Sequence, residues 1–241
     1  MYNEDLQLKY KFHNLKHLDD NNHIIDKISN DSIDSINVYW LGKRKYMPVW
    51  ELQKEVHKKR SKNEINDIIL LLEHEHVYTL GKNADKNHIL SNKFKDTEVI
   101  QIDRGGDVTY HGPGQLVGYP IIDLHNYKMS ISWYLNVLSE SIINLLSTLD
   151  LNSHYRDDYV GVWVDDNKIA AFGVRLSKWI TMHGFALNVN TNLKYYDGLI
   201  PCGIFECGVT SIFEQINKKL SLEQMARIFT QIFIKQLNKE Y

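Results

Sequence analysis

The chain has 241 residues, with 28 basic side chains against 30 acidic, a net charge of −2 at pH 7, 43% apolar residues and two cysteines. That length suits one compact domain with a sizeable core, and the near-neutral balance excludes the chain-wide basic footprint of a nucleic-acid binder. Two cysteines exclude a disulfide scaffold and point to a reducing, cytoplasmic setting. No run approaches the ~18 to 20 apolar residues of a membrane span, and Met1 to Asn14 has neither the apolar stretch nor the cleavage site of a secretory signal.

Residues 1–35 read as a polar N-terminal extension, because the Asn-, Asp-, His- and Lys-rich stretch from about 13 to 35 holds its few Ile and Leu residues at no sustained period. The functional domain is expected over 36–241, starting near Ile36. Met47 to Arg60 reads as a helix, with Pro48 in its opening turn and Trp50, Leu52, Val56 and the Glu55/Lys59 pair at helical spacings. Asp67 to Glu73 is an apolar run of strand length, and Thr97 to Asp103 alternates before running into Arg104-Gly105-Gly106, a strand feeding a glycine loop. Leu116 to Asp123 is a further strand, which Pro120 assigns to a sheet edge or a bulge. Ile131, Leu135, Leu138, Ile142, Leu145 and Leu149 mark one face of a helix. Tyr159 to Val164, Lys168 to Leu176 and Trp179 to Val189 are strand-like, with turns at Asp165-Asp166-Asn167 and about Ser177. A second stripe, Leu222, Met225, Phe229, Ile232, Phe233 and Leu237, follows Ser221, which forms a capping-box pattern with Gln224. Strands gathered between helices predict a single α+β or mixed α/β domain.

Arg104 to Gln115 packs four glycines and a proline into twelve residues, a density that suits close backbone approach or positive φ, or else a tight surface loop. It matches neither common phosphate-binding glycine pattern, so it gives a nucleotide site no direct support. In Pro201-Cys202-Gly203 the flanking residues fix a sharp turn that presents a thiol at a cleft, against the commonest fate of a cysteine, burial as a small apolar group. Cys207 is followed by glycine but not preceded by proline, and with no second cysteine pair a metal site is not expected. Lys168 at a strand start is ordinarily exposed. In a central strand near Cys202, however, a desolvated ammonium would favour the thiolate. His183 either orients a substrate or satisfies a backbone carbonyl. His74 and His76 would share one face of a strand, and no third metal ligand accompanies them.

Six segments, taken together, resemble the lipoyl(octanoyl) transferase family over about residues 36 to 215. They are Glu73 to Gly81 (EHEHVYTLG), Arg104 to Gln115 (RGGDVTYHGPGQ), Gly161-Val162-Trp163, Lys168 to Gly173 (KIAAFG), His183 to Val189 (HGFALNV) and Pro201-Cys202-Gly203. The resemblance implies the fold of biotin protein ligases and lipoate ligases, a mixed sheet flanked by helices. It implies a Cys/Lys dyad in which Cys202 carries an acyl-thioester and Lys168 lowers its pKa, with Cys207 a bystander. It further implies octanoyl contacts from Arg104, Gly105, Gly106, Asp107, Val108, Thr109, Tyr110 and His111, from Ala171, Phe172 and Gly173, and from Gly184, Phe185 and Ala186, with no cofactor and no metal.

The activity implied is transfer of an octanoyl group from octanoyl-acyl carrier protein to a specific lysine of lipoyl domains, the first step of endogenous protein lipoylation. The acceptors would be the lipoyl domains of 2-oxoacid dehydrogenase complexes and the glycine cleavage H protein, with no nucleic-acid or membrane partner. The chemistry is consistent: a thioester donor is already activated, so the transfer needs no ATP. A thiol of pKa ~8.5 is only about 3% thiolate at pH 7, so a neighbouring cation supplies much of the nucleophile. Backbone N–H groups of the glycine loop and Gly173 suit the tetrahedral oxyanion. Burying the roughly seven CH2 or CH3 groups of an eight-carbon acyl chain at ~0.8 kcal/mol each contributes on the order of 5 kcal/mol. The competing readings are an ATP-dependent lipoate or biotin protein ligase on the same fold, a Cys/His hydrolase with His111 or His183 as base, and a non-catalytic module that binds carrier or lipoyl domains.

Overall fold

The computed structural model describes residues 10–31, 34–82, 84–90, 94, 96–199 and 208–239. In chain order the elements are β1 (Tyr10–Asn14), α1 (Asn21–Asn30), β2 (Ile36–Arg44), α2 (Tyr46–Arg60), β3 (Ile68–His74), β4 (Val77–Leu80), β5 (Glu98–Gln101), β6 (Val108–His111), β7 (Gln115–Ile121), α3 (Ile131–Ser147), β8 (His154–Arg156), β9 (Gly161–Val164), β10 (Asn167–Ser177), β11 (Ile180–Asn188), β12 (Gly208–Val209), α4 (Ile212–Ile216) and α5 (Leu222–Leu237). The large sheet runs β1-β2-β3-β7-β11-β10-β9-β8, with β12 added to β10, and a small sheet runs β5-β4-β6. The first three strands are parallel, the following pairs along that order are antiparallel and β12 runs parallel to β10, so the sheet is mixed as expected.

The apolar run of β3 follows from its place at the centre, since a strand covered on both faces alternates between two cores rather than between core and water. Ile69 and Leu71 join the core beneath α3 and α5, with Val38, Trp40, Leu116, Phe185 and Phe229. Ile68, Leu70 and Leu72 join the core beneath α1 and α2, with Tyr39, Leu41, Leu52 and Val56. Both long apolar stripes form the expected helices. Ser221 caps α5 through the Gln224 N–H, and Ser130 caps α3 through the Trp133 N–H. On α3 the buried face turns slightly from the stripe expected: Tyr134, Val137, Leu138, Ile142, Leu145 and Leu146 are buried, whereas Ile131 is exposed.

Two expectations are corrected. Pro120 lies in β7, a central strand between β3 and β11. It is tolerated because the β7–β11 ladder opens there: pairing runs from Asn188↔Gln115 to Phe185↔Gly118 and resumes where the Thr181 N–H donates to the Ile122 carbonyl. The missing proline N–H falls in that gap. The segment ahead of Ile36 is also no mere polar extension, since β1 extends the sheet in parallel register with β2 and Leu15, Ile24 and Ile28 are buried. The α1 stripe escaped notice because a ten-residue helix repeats its buried position once, Ile24 to Ile28.

The far end of the sheet is fastened by a buried ionic group. Arg60 Nε donates to Asp67 Oδ1 at 2.8 Å, Arg60 Nη2 stands 3.3 Å from Asp123 Oδ2, and Tyr127 donates to Asp67 Oδ2 at 3.1 Å. Burial pushes the Asp67 carboxyl above its ordinary value against the pull of Arg60. Arg60→Leu leaves that carboxylate buried without its cation, at a cost of roughly 3 to 5 kcal/mol. In thermal denaturation the midpoint should fall by about 10 °C; a fall within about 2 °C would show that the pair contributes no net stability.

Candidate active site

One cavity gathers residues from nearly every segment singled out in the sequence. Its walls include Tyr46 of α2, Tyr119 of β7, the loop from Arg104 to β6, Lys168 to Gly173 of β10 and His183 to Ala186 of β11. The glycine loop is a wall rather than a surface turn. Arg104, 6% exposed, reaches back to the Thr79 carbonyl at 2.7 Å, the Thr79 hydroxyl at 3.0 Å and the Gly105 carbonyl at 2.9 Å. Gly106 adopts φ of +85°, the left-handed region that favours glycine.

Polar groups on the inner wall are locked in defined hydrogen-bonding states. Asn188 donates to the Thr210 carbonyl at 3.0 Å, so its Oδ1 accepts from Gln115 Nε2 at 3.0 Å. Gln115 Oε1 must then accept from His111, at 2.8 Å. His111 thus carries its proton on Nδ1 and keeps a lone pair on Nε2, and burial holds the imidazole neutral, well below its ordinary pKa. His183 stands where the β7–β11 ladder opens, with φ of +59° and its N–H donating to Gln53 Oε1 at 3.0 Å. Burial keeps its ring below the ordinary histidine value, so Nε2–H donates to Asp103 Oδ1 at 3.0 Å. That hydrogen bond, then the nearby Arg175, pulls Asp103 down to about 2. Its partner is therefore a carboxylate, not the backbone carbonyl considered from sequence.

The two histidines read as sharing a strand face do not. His74 ends β3, whereas His76 precedes β4 in the small sheet. Both ring nitrogens of His74 are used, by the Arg44 carbonyl at 3.1 Å and the Tyr119 hydroxyl at 2.8 Å. Burial lowers its pKa to about 4. His76 bonds the Tyr110 hydroxyl at 2.7 Å and stacks on Tyr195 with centroids 4.1 Å apart.

Lys168 lies in an interior strand between β11 and β9. The register passes from Lys168↔Trp163 to Ala170↔Val162, leaving Ile169 as the extra residue of a bulge, a device that re-aims side chains beside functional sites. The absent Cβ of Gly161 clears the path of the lysine stem: a methyl there would stand 2.5 Å from the Ala170 carbonyl oxygen and 3.2 Å from Lys168 Cε. The ammonium stands 4.9 Å from the Trp163 ring centroid.

Lys168 also pairs through its backbone with the chain that follows residue 207: Val209 is its register partner, and its carbonyl accepts the Thr210 N–H at 3.0 Å. On the other side, a short 3-10 helix, Leu193–Gly198, is held where Tyr78 donates to the Tyr195 carbonyl at 2.5 Å and the Leu90 N–H to the Gly198 carbonyl at 2.9 Å. Leu199 and Gly208, the described residues on either side of 200–207, both line the cavity with Lys168. Pro201, Cys202, Gly203 and Cys207 lie outside the described residues.

Of the other residues singled out, Arg104, Gly106, Asp107, Val108, Thr109, His111, Ala171, Phe172, Gly173, His183, Gly184, Phe185 and Ala186 line this same cavity. Gly105 and Tyr110 do not. Gly105 donates its N–H to the Val174 carbonyl at 3.2 Å, and Tyr110 stacks on Tyr195 with centroids 5.2 Å apart. Tyr46, Tyr119 and Tyr196 are wall residues that the sequence reading missed; scattered tyrosines carry no local pattern to mark them.

Residues 45–234 match the family model described as the lipoyl protein ligase A/B catalytic domain. An octanoyltransferase of Caldicellulosiruptor saccharolyticus is 43% identical over 208 residues, covering 82% of this chain and 88% of its own. The chain belongs to the octanoyltransferase family. It is an acyltransferase by that membership, and a chloroplastic octanoyltransferase of Arabidopsis thaliana is 40% identical over 215 residues, covering 81% of this chain and 77% of its own. Among solved structures, a lipoate-protein ligase A bound with ATP superposes with a TM-score of 0.68 at 15% identity, over 85% of this chain and 86% of the other. A putative lipoate protein ligase of T. acidophilum with bound lipoic acid gives 0.65 at 14% identity, over 84% and 86%. At such identities the likeness is one of fold, and the octanoyltransferase chain has the lipoate ligase fold that its motifs implied.

Proposed function

We propose that this octanoyltransferase moves an octanoyl group from octanoyl-acyl carrier protein to a specific lysine of lipoyl domains through a thioester on Cys202. The carrying observation is convergence: the Lys168 strand, the glycine loop and both described flanks of residues 200–207 meet at one cavity. In the first half-reaction the Cys202 thiolate attacks the donor thioester carbonyl, and the carrier thiolate leaves and takes up the proton of the Lys168 ammonium, which becomes a neutral amine. In the second, the acceptor amine attacks the Cys202 thioester, the Cys202 thiolate leaves, and Lys168 takes the proton released by the amine. Lys168 supports the thiolate electrostatically before each cycle. The apolar stretches Ala171 to Gly173 and Gly184 to Ala186, with the loop from Arg104 to His111, would contact the acyl chain. Residues 36–241 carry this machinery while the preceding segment braces the sheet. The acceptors are lipoyl domains of 2-oxoacid dehydrogenase complexes and the glycine cleavage H protein, and a free thiolate calls for a reducing compartment such as the cytoplasm.

Intact-protein mass spectrometry tests the scheme. Mixing the protein with octanoyl-acyl carrier protein alone should give one octanoyl adduct, mapped to Cys202 and released by hydroxylamine; adding an apo lipoyl domain, without ATP, should pass the group to the acceptor. An adduct on another residue rejects Cys202, and octanoylation of the acceptor only from free octanoate with ATP would turn the reading to the ligase.

A further inference from the structure

We infer that Trp163 is a positioning residue for acyl transfer, its indole holding the Lys168 ammonium in place. The ring is fixed before the lysine meets it. Trp163 is 1% exposed, and its Nε1–H donates to the Tyr159 carbonyl at 3.2 Å. The Arg156 guanidinium packs on the same ring, 4.8 Å from the centroid, and is itself paired with Asp158 at 3.1 Å and Asp166 at 3.7 Å. The lysine stem then has a prepared route, past the bare Cα of Gly161 and out of the bulge at Ile169, that ends with Nζ 4.9 Å from the indole.

An indole face is the best side-chain π surface for an ammonium, and its electrostatic attraction acts only on the charged form. Partial burial among apolar walls works the other way, favouring a neutral amine. Trp163 therefore keeps Lys168 both charged and pointed. Among the described residues, the charged groups near this cluster include Arg156 with its two aspartates on the β8 side, and Arg104 and Asp107 line the same cavity. The role in acyl transfer rests on the proposed Cys202/Lys168 dyad; the hold of the indole on Lys168 does not.

The test compares Trp163→Phe, which keeps a π face, with Trp163→Leu and the longer, unbranched Trp163→Met, which remove it; two apolar variants ensure that a folding defect in one does not decide the matter. The pH dependence of Lys168 acetylation by acetic anhydride, followed by peptide mass spectrometry, reads the ammonium directly. Its midpoint should fall by about half to one pH unit in the apolar variants and stay near wild type in Trp163→Phe. Unmoved apolar variants, or a fall of the same size with phenylalanine, would overturn the inference. In parallel, the alkylation midpoint of Cys202 should rise in the apolar variants and rise no further when Trp163→Leu is added to Lys168→Met. Should Lys168→Met move the Cys202 profile while Trp163→Leu and Trp163→Met leave it in place, the positioning role falls. Should Lys168→Met itself leave Cys202 unmoved, the dyad falls instead, and the acetylation profile still decides whether the indole holds Lys168.

Discussion

Cys202→Ser should lower turnover by roughly a thousandfold or more, the largest loss expected of any single side-chain replacement in this protein. The hydroxyl differs from the thiol by one atom, so donor and acceptor can still bind, but it has almost no anionic form near neutral pH. A neighbouring ammonium that easily sustains a thiolate cannot sustain an alkoxide. Any octanoyl group that does reach the serine forms an oxyester, a poorer donor to the acceptor amine than a thioester. The rate of octanoyl transfer from carrier to lipoyl domain, measured with Cys207→Ser alongside, separates the thiols: Cys207→Ser should keep wild-type turnover. Near wild-type activity in Cys202→Ser would remove the covalent scheme altogether.

Lys168→Met should cost on the order of a hundred- to a thousandfold, from two sources. A thiol returned to pKa ~8.5 is only about 3% ionised at pH 7, which removes roughly thirtyfold of the reactive form. Loss of the group that accepts the acceptor's proton accounts for the remainder, since that proton must then pass to solvent. The sign with pH is fixed: without the ammonium the thiolate forms only at higher pH, so the alkylation midpoint of Cys202 must move up and the loss of activity must be smaller in alkaline solution. Methionine keeps the length and apolar stem, so the packing past Gly161 survives. An unchanged alkylation profile would show that Lys168 does not act on the thiol.

How much of this was legible from sequence varied with the range of the interactions involved. The glycine loop, the strand of Lys168 and the stripes of α3 and α5 were readable because the period or residue type that specifies each lies within a few neighbouring residues. Pro120 misled because its meaning depends on a gap in the ladder to β11, which the positive φ of His183 marks and no local pattern announces. The pairing of His183 with Asp103, eighty residues earlier in the chain, was equally out of reach. The small sheet that carries the glycine loop was only partly visible: alternation over the longer run Thr97 to Asp103 marked β5, whereas β4 and β6 have no such run beyond their own four residues. Trp163 stood in a recognised tripeptide, and its bearing on Lys168 comes from the hairpin at Asp165-Asp166, whose register sets the two residues opposite each other ahead of the bulge.

The strand Tyr10–Asn14 guards the whole assembly against itself. Beyond it lies Ile36 to Leu41, buried along its full length, whose outward N–H and C=O groups are occupied by β1. Tethers to α5 keep the cover in place, through Asn14 to Glu223 at 2.9 Å and Arg227 over the Phe12 ring at 4.1 Å, and exposed Lys11 places a charge on the strand that ends the sheet. A chain trimmed to start at Ile36 would retain every described residue of the cavity while baring a long apolar edge, the template on which sheets recruit other chains. Its failure would be colloidal before it was catalytic.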